Sequence, residues 1–361
     1  MNTMLEPKTS TAIVVVPARD EAARIGPCLA SLNDQRQRPD AVLLLLNNCT
    51  DNTETIARVM APVLRFKLDI VNRDLPPGQA NAGNARRLGM ALAARRAGLD
   101  GVLLTTDADT IVPPDWVRRN LEGLCRGADV VCGRAVIDPL EATMIPAHLH
   151  SDDARECQLI ALLDGIAWIL DPEPHASPPR HTEVSGASLA VSVAAFDRVG
   201  GIPAIASGED RAFVEALRRI DARILHDPTI EVVVSGRIVG RAEGGMADTI
   251  RRRMVQQDEF TDDQVEPACA AFRRYNLRRR ARRAWKRRHV DHALAADLNL
   301  RASVLADALS RAYFGTAWTE LEFASSRLQR RRVRFADLPA EIASAQALLH
   351  RLAPLETMAA E

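Results

Sequence analysis

The sequence predicts an α/β fold, with a mixed and mainly parallel sheet covered by helices on both faces, followed by an all-helical C-terminal region. Short apolar runs alternate with helical patterns through the first half of the chain, and this alternation is typical of parallel strands joined by right-handed crossovers. From about Met246 onward strand patterns disappear and proline and glycine become rare. We therefore expect a flexible N-terminus (1–11), an α/β domain (12–245) and a helical region (246–361).

The individual elements follow from the spacing of apolar residues. Strands are expected at 12–16, 41–46, 63–71, 102–106, 129–132, 188–193 and 231–234. Helices are expected at 21–32, 51–60, 84–97, 116–126, 152–170, 194–199, 209–220, 294–312 and 340–352. The segment 171–180 holds four prolines, and it is expected to be a loop because proline fixes φ and lacks an amide donor.

The composition is that of a globular protein without membrane spans. Hydrophobic residues make up 47% of the 361 residues and charged residues 26%, which are ordinary values. No apolar run approaches the ~20 residues of a transmembrane helix, and the polar start of the chain lacks a signal-peptide core. A cytoplasmic location is therefore expected. The six cysteines form no Cys-x-x-Cys pair, which argues against a zinc site.

The net charge of zero hides a basic stretch, 271–288, which contains ten Lys or Arg residues and no acid. Three interpretations stay open. The stretch is a helix face that is solvated or paired within the protein, it contacts an anionic membrane surface, or it binds nucleic acid. Nucleic acid is the least favoured partner, because only Tyr275 and Trp285 interleave the basic residues and no recognised binding module is present.

Asp107 and Asp109 lie one residue apart at the end of the apolar run 102–106. Ligands of open α/β sheets bind at the carboxyl ends of the strands, and two carboxylates there suit Mg²⁺ or Mn²⁺ carrying a diphosphate. On spacing alone, an equal alternative is that these residues cap the helix that follows.

Four further polar segments follow predicted strands or open predicted helices. They are Val-Pro-Ala-Arg-Asp-Glu (16–21), Asn-Asn-Cys-Thr-Asp-Asn-Thr (47–53), Gly-Asn-Ala-Arg-Arg (83–87) and Gly-Glu-Asp (208–210). No Gly-x-Gly-x-x-Gly fingerprint of a dinucleotide site occurs among them. Together with Thr-Asp-Ala-Asp-Thr (106–110), these segments in this order resemble family 2 nucleotide-sugar glycosyltransferases of the GT-A fold, over residues 12–245.

The resemblance implies a role for each matching residue. Residues 12–135 would form the nucleotide-binding half and 136–245 the acceptor half. Asp210 would be the general base and Asp109 the ligand of a divalent metal, Mn²⁺ or Mg²⁺. The nucleotide sugar would contact Pro17, Arg19, Glu21, Asn47, Asp51, Asn84 and Asp107, and the acceptor side would include Gly186 and Glu209. Apart from the resemblance, the loop after the last predicted strand could bring Arg237 or Arg241 to the diphosphate, because arginine binds phosphate with two hydrogen bonds.

Several of these residues also have a structural interpretation. Ser207 and Asp210 fit a helix capping box, and Asn84 fits a helix N-cap. Arg86 either contacts phosphate or is a solvated helix residue. Arg237 either reaches the diphosphate or forms a salt bridge within its own domain.

Two departures from the family pattern shape the functional hypothesis. The family commonly has Asp-Asp where this chain has Leu46-Asn47; a UDP-sugar is favoured, but another base stays open because an Asn amide both donates and accepts. The chain also lacks the Gln-x-x-Arg-Trp motif of processive synthases, which favours transfer of a single sugar.

The leading hypothesis is a metal-dependent, inverting glycosyltransferase that acts on a small or lipid-linked acceptor, with peripheral contact to anionic membrane as an option. One alternative is a sugar-nucleotide pyrophosphorylase, which the absence of a glycine-rich loop after the first strand disfavours. The other alternative is a non-catalytic scaffold that binds membrane or nucleic acid through the arginine-rich helices.

Overall fold

The computed structural model describes residues 10–238, 240 and 245–359. The predicted flexible N-terminus lies outside these residues up to position 9, and so does Arg241. The chain forms two compact units. One comprises Met1–Met144, Glu183–Leu217 and Ala222–Arg251, and the other comprises Ile145–Thr182, Arg218–Asp221 and Arg252–Glu361.

The first unit is built on a seven-stranded sheet with the order β3-β2-β1-β4-β6-β5-β7. Strands β1 to β4 run parallel, β6 lies antiparallel between β4 and β5, and β7 is parallel to β5. The predicted fold class is confirmed. The strands are β1 (Ala12–Ala18), β2 (Ala41–Asn47), β3 (Lys67–Arg73), β4 (Val102–Thr105), β5 (Val130–Ile137), β6 (Leu189–Ser192) and β7 (Ile224–Val234).

Helices connect these strands and form the second unit. In chain order they are α1 (Ile25–Asn33), α2 (Thr53–Met60), α3 (Ala82–Ala97), α4 (Trp116–Cys125), α5 (Pro139–Ala142), α6 (Ala147–Leu170), α7 (Val193–Arg198), α8 (Glu209–Arg219), α9 (Met246–Val255), α10 (Ala268–Arg287), α11 (His292–Asp297), α12 (Ala302–Leu309), α13 (Phe314–Ala324) and α14 (Leu338–Ala359).

Helices cover both faces of the sheet, and β1 shows how. All seven of its residues are buried, and alternate side chains of a strand point to opposite faces. Val14 shares a hydrophobic cluster with Leu29 of α1. Val15 faces α3 on the other side of the sheet. A Cβ atom added to Gly89 of α3 would lie only 2.6 Å from Val15 Cγ1. Glycine at this position lets α3 pack closely on the sheet.

Three elements differ from the sequence prediction for identifiable reasons. The strand expected from residue 63 begins at Lys67, because Ala61–Val63 forms a 3₁₀ turn that contains proline. Strand β7 begins at Ile224 instead of 231, because its first residues pair with β5. The helix expected at 294–312 is divided into α11 and α12, and Asn299 between them has a φ of 55°.

The second unit has its own hydrophobic clusters. Helix α6 contributes Leu159, Leu163 and Ile166 to a cluster that also contains Ala271 of α10 and Ile342 of α14. The sequence placed α6 in the α/β domain, which was expected to end at residue 245. Its apolar stripe packs against the C-terminal helices instead, so residues 145–182 belong to the second unit.

Helix α10 carries the basic stretch, and part of it is paired inside the second unit. Arg274 lies 2.6 Å from carboxylate oxygens of Glu266 and of Glu322. Arg278 and Arg282, each one turn further along, lie 2.7 and 2.8 Å from Asp171. Arg280 also lies 2.5 Å from Asp297, so salt bridges within the second unit account for four of the ten basic residues. Other members are exposed: Arg273, Arg283, Lys286, Arg287 and Arg288.

Among the described residues, no helix is both long and hydrophobic enough to cross a bilayer.

Candidate active site

The carboxyl ends of β1, β2 and β4 lie side by side, and each is followed by one of the polar segments. In the register of the sheet, Ala18 pairs with Leu46, and Val15 pairs with Thr105. The loops after these strands therefore meet at one edge of the sheet, where ligands of open α/β folds bind.

Two of these loops are joined by reciprocal carboxylate contacts. Asp20, which has a φ of 52°, accepts the Thr50 N–H at 2.7 Å. Asp51 accepts the Ala22 N–H at 3.0 Å and both the amide and the hydroxyl of Thr53. Asp51 was predicted to line the nucleotide pocket, and its contacts show that it also holds the two loops together.

Three further residues of the predicted nucleotide pocket make contacts within the protein. Pro17 is buried in β1, where it pairs with Leu45. The Nη1 of Arg19 donates to the carbonyl of Ala80 at 2.6 Å. Asn84 is not the N-cap of α3; the cap is Asn81, whose side chain accepts the Asn84 N–H at 2.9 Å.

Asn47, at the end of β2, has a buried acceptor. Its Nδ2 donates to the carbonyl of Asn81 at 3.2 Å. Its Oδ1 has no hydrogen-bond partner within the described chain. Because the opposite orientation would place Oδ1 against that carbonyl oxygen, the contact fixes which end of the amide is unsatisfied.

Asp107 and Asp109 follow β4 and do not cap the next helix. The N-cap of α4 is Asp115, so the capping interpretation of the pair is wrong. The Asp109 side chain is 16% exposed and that of Asp107 is 36% exposed. Burial first, and then the negative charges of Asp107 and Glu21, raise the pKa of Asp109 to about 6, against the opposing effect of Arg237.

Arg237, which follows β7, forms an ion pair with the predicted site carboxylates. Its Nη1 and Nη2 donate to the two oxygens of Glu21 at 2.7 and 2.6 Å, and Nη2 lies 3.1 Å from Asp109 Oδ2. Burial lowers the pKa of Arg237, but the neighbouring carboxylates outweigh it and raise that pKa overall. The predicted salt bridge within the domain is therefore present, and its partner is a residue of the proposed donor site.

Arg86 is the centre of a buried network, with 4% of its surface exposed. It donates to Asp107 Oδ1 at 2.6 Å, to Thr105 Oγ1 at 2.7 Å, to the carbonyl of Gly186 at 2.9 Å and to Glu209 Oε1 at 3.0 Å. All three guanidinium nitrogens are therefore engaged, and neither predicted alternative, phosphate contact or a solvated position, describes this arginine.

Two glycines make room for this network. A Cβ on Gly186 would lie 2.4 Å from the guanidinium carbon of Arg86. A Cβ on Gly83 would lie 2.7 Å from the carbonyl oxygen of Ile205 and 3.1 Å from Glu209 Oε2. Only glycine permits so close an approach of α3 to the segments 185–187 and 205–209.

Asp210 stands in the first turn of α8, beside this network. Its Oδ2 accepts the Gly186 N–H at 2.8 Å, and its Oδ1 accepts the Arg211 N–H at 2.7 Å. Helix α8 begins at Glu209 after Gly208, which has a φ of 74°. Asp210 is therefore at the second helical position, one residue earlier than the capping-box interpretation required.

The structure thus brings one set of predicted site residues together in a charged group, and it places a second set around Arg86, which binds Asp107 of that group. Glu21, Asp107, Asp109 and Arg237 form one charged group, and Glu209 and Gly186 are bound to Arg86. Glu141, which binds the loop before Arg237, lies in no motif of the sequence and was not predicted. In the described part of the chain, no three or more His, Cys, Asp or Glu side chains are arranged so that they alone could hold a metal ion.

Part of the chain is similar to a known protein family. The family model described as glycosyl transferase family 2 matches residues 13–163. No curated protein sequence matches the chain. Among solved structures, a mannosyltransferase from Pyrobaculum calidifontis in complex with GDP-Man and Mn²⁺ has 16% identity and a TM-score of 0.45, over 97% of this chain and 86% of that one.

Two further solved structures have similarly low sequence identities and TM-scores. TarS 1–349 of S. aureus in complex with UDP-GlcNAc has 14% identity and a TM-score of 0.46, over 95% of this chain and 81% of that one. Glucosyl-3-phosphoglycerate synthase from Mycobacterium tuberculosis has 18% identity and a TM-score of 0.42, over 70% and 82%. At such distances the ligands of those structures say nothing about the ligands of this chain. The family match covers the strands and loops that carry the donor-side motifs, so residues 13–163 of this chain are similar to glycosyl transferase family 2.

Proposed function

We propose that this enzyme transfers one sugar from a nucleoside-diphosphate sugar to an acceptor hydroxyl, with inversion at the anomeric carbon and with a divalent cation. The observation that carries the proposal is the Arg86 network. A single buried guanidinium joins Asp107 on the donor side to Glu209, whose neighbour is the candidate base Asp210. Donor-side and acceptor-side residues are thus held at one edge of the sheet.

The donor-side residues fit a divalent cation by their chemistry. Asp109 is proposed as an oxygen ligand in a site with an excess of carboxylates, and its pKa is raised first by burial and then by the charges of those neighbours. Mg²⁺ or Mn²⁺ commonly takes one or two protein carboxylates and completes its shell with phosphate and water oxygens, which suits a site without a larger group of ligating side chains. When bound, the cation would neutralise charge on the departing diphosphate.

Asp210 is proposed to act on the acceptor. Its carboxylate takes the proton of the acceptor hydroxyl as that oxygen attacks the anomeric carbon, and the bond to the nucleoside diphosphate breaks with its electron pair. The Gly186 N–H donates to this carboxylate at 2.8 Å and holds it in place in the first turn of α8. One base and one displacement give inversion.

Asn47 supports a preference for the base of the donor. Its buried Oδ1 is an acceptor without a partner in the described chain, so it is complementary to an N–H donor on the edge of the base. Uracil and guanine present a ring N–H at this edge, whereas adenine and cytosine present an unprotonated ring nitrogen there and donate only through an exocyclic amino group. A UDP-sugar stays the favoured donor, with a GDP-sugar as the alternative. The acceptor is a small or a lipid-linked hydroxyl compound.

The test is a thermal-shift panel of UDP, GDP, ADP and CDP with and without Mn²⁺, because a ligand that binds only the folded state raises the Tm. We expect stabilisation by UDP or GDP that depends on Mn²⁺ and is lost in Asp109→Ala. Asp115→Ala, which removes an aspartate at the surface end of α4, is the matched control and should behave like wild type. Absence of stabilisation by every nucleotide, with or without Mn²⁺, contradicts the proposal.

A further inference from the structure

Arg237 occupies a position in which it neutralises donor-site carboxylates. It makes two hydrogen bonds to Glu21, at 2.6 and 2.7 Å, and lies 3.1 Å from Asp109. The side chains are largely buried, with 24% of Arg237 and 6% of Glu21 exposed. A cation among several carboxylates in such a setting relieves repulsion that water screens poorly.

The backbone beneath Arg237 is held independently of these contacts. Glu141 Oε2 accepts the Ser235 hydroxyl at 2.8 Å and the Gly236 N–H at 2.7 Å. The other oxygen of Glu141 accepts from Arg24 at 2.6 Å. Rotation of the Arg237 side chain alone can therefore change its partner, without displacement of residues 235–236.

We propose that Arg237 is the resident counter-cation of the donor site, bound to Glu21 and Asp109 when no divalent cation is present, and that it moves to the diphosphate when nucleotide and cation bind together. The inference rests on the proposed function, because it takes Asp109 as the metal ligand and a diphosphate as the new partner. A guanidinium binds phosphate oxygens with the same two-pronged geometry that it uses for a carboxylate.

This exchange makes the two ligands depend on each other. A cation that binds alone displaces Arg237 from Asp109 and leaves the guanidinium without an anion to receive it. A cation that arrives with a nucleoside diphosphate brings that anion. Arg237 therefore opposes binding of the metal alone and stabilises the complex with both, which is a coupling free energy between the two sites.

The experiment measures Mn²⁺ affinity, from the electron paramagnetic resonance signal of free Mn²⁺, with and without UDP or GDP. For Arg237→Gln we expect roughly tenfold tighter binding of Mn²⁺ alone and roughly tenfold weaker binding of the nucleotide in its presence, a typical size for such couplings. Arg96→Gln removes the same charge from an arginine that pairs with Asp69 at the surface of α3, and it should match wild type.

Arg237→Lys keeps the positive charge but removes the planar guanidinium. It therefore tests whether the charge or the shape of the side chain opposes the binding of Mn²⁺ alone. We expect it to bind Mn²⁺ alone about as weakly as wild type; affinity as high as that of Arg237→Gln would overturn the inference. The inference alone also fails when Arg237→Gln binds Mn²⁺ no tighter than wild type while nucleotide binding persists. Absence of both Mn²⁺ and nucleotide binding in wild type overturns the proposed function and the inference together.

Discussion

The guanidinium of Arg86 lies 3.0 Å from the carboxylate of Glu209, and both side chains are less than a tenth exposed. The two residues are 123 positions apart in the chain. Removing one member of a buried ion pair costs much more than the pair contributes, because the partner is left as an uncompensated buried charge. Both the stability of the fold and the arrangement of the candidate site therefore depend on this ion pair.

The substitution Arg86→Met is expected to lower the free energy of unfolding by about 3–5 kcal/mol, since it leaves Glu209 and Asp107 without their cation. Urea denaturation measures this directly. Arg96→Met is the matched control, because Arg96 is on the same helix and its side chain is 44% exposed in its pair with Asp69; its effect should stay within about 1 kcal/mol. Equal effects of the two substitutions would contradict the assignment of Arg86.

Gly186→Ala tests the close approach at the centre of the network. The added methyl group would lie 2.4 Å from the guanidinium carbon of Arg86, which has no room to retreat because its nitrogens are bonded on all sides. We expect a loss of about 1–3 kcal/mol of unfolding free energy, typical of overpacking. Gly26→Ala is the control. A methyl group there would meet nothing closer than 3.7 Å, and a helical Gly-to-Ala change stabilises by about 0.5–1 kcal/mol.

Asp210→Asn separates donor binding from catalysis. The Asn oxygen can still accept the Gly186 N–H, so the loop should keep its position, whereas the base is lost. We expect kcat to fall by about 10²–10⁴-fold, with unchanged Mn²⁺-dependent nucleotide binding. The exposed Asp197→Asn on α7 is the control for the loss of one carboxylate. Transfer by Asp210→Asn at nearly the wild-type rate would remove Asp210 from the mechanism.

The parts of the fold that the sequence predicted are those governed by local patterns. Strands β1, β2 and β4 and the helices between them are found within a few residues of their expected positions, because uninterrupted apolar runs of strand length are typical of strands buried on both faces. Helix α6 was also predicted, but the sequence did not predict that this helix belongs to the second unit. An apolar stripe specifies that a helix packs, and it does not specify against which partner.

For the candidate site, the sequence indicated candidate residues but not the contacts between them. Motif order brought Glu21 and Asp109 into one hypothesis, and the loop after the last predicted strand added Arg237. The contact between Arg237 and Glu21 joins residues 216 positions apart, and no local spacing encodes such a contact. Arg86 shows the same limit. An arginine near the start of a predicted helix indicates either a phosphate ligand or a solvated side chain, and only the tertiary structure reveals four protein acceptors around Arg86.

The second unit offers a pH test that does not involve the candidate site. Burial would raise the pKa of Glu173, but Arg278, Arg218 and Arg180 outweigh it and lower the pKa to about 2. The Arg278 guanidinium lies 3.2 Å from this carboxylate, which is 25% exposed. A carboxyl group whose pKa is lower in the folded state stabilises the fold above its unfolded pKa and loses that effect as the pH falls toward the folded value.

We therefore expect Glu173→Gln to destabilise the protein by about 3 kcal/mol at pH 7, where wild-type Glu173 is ionised in both states and favours the folded one. The difference between the two proteins should be smaller by about 2 kcal/mol at pH 3, because the unfolded wild-type chain takes up a proton there that the folded chain does not. Urea denaturation at pH 7, 5, 4 and 3 measures the trend. Glu122→Gln, at an exposed pair with Arg118, should stay within about 1 kcal/mol of wild type throughout. A gap between wild type and Glu173→Gln that is constant with pH would mean that the arginines around Glu173 do not favour its ionised form.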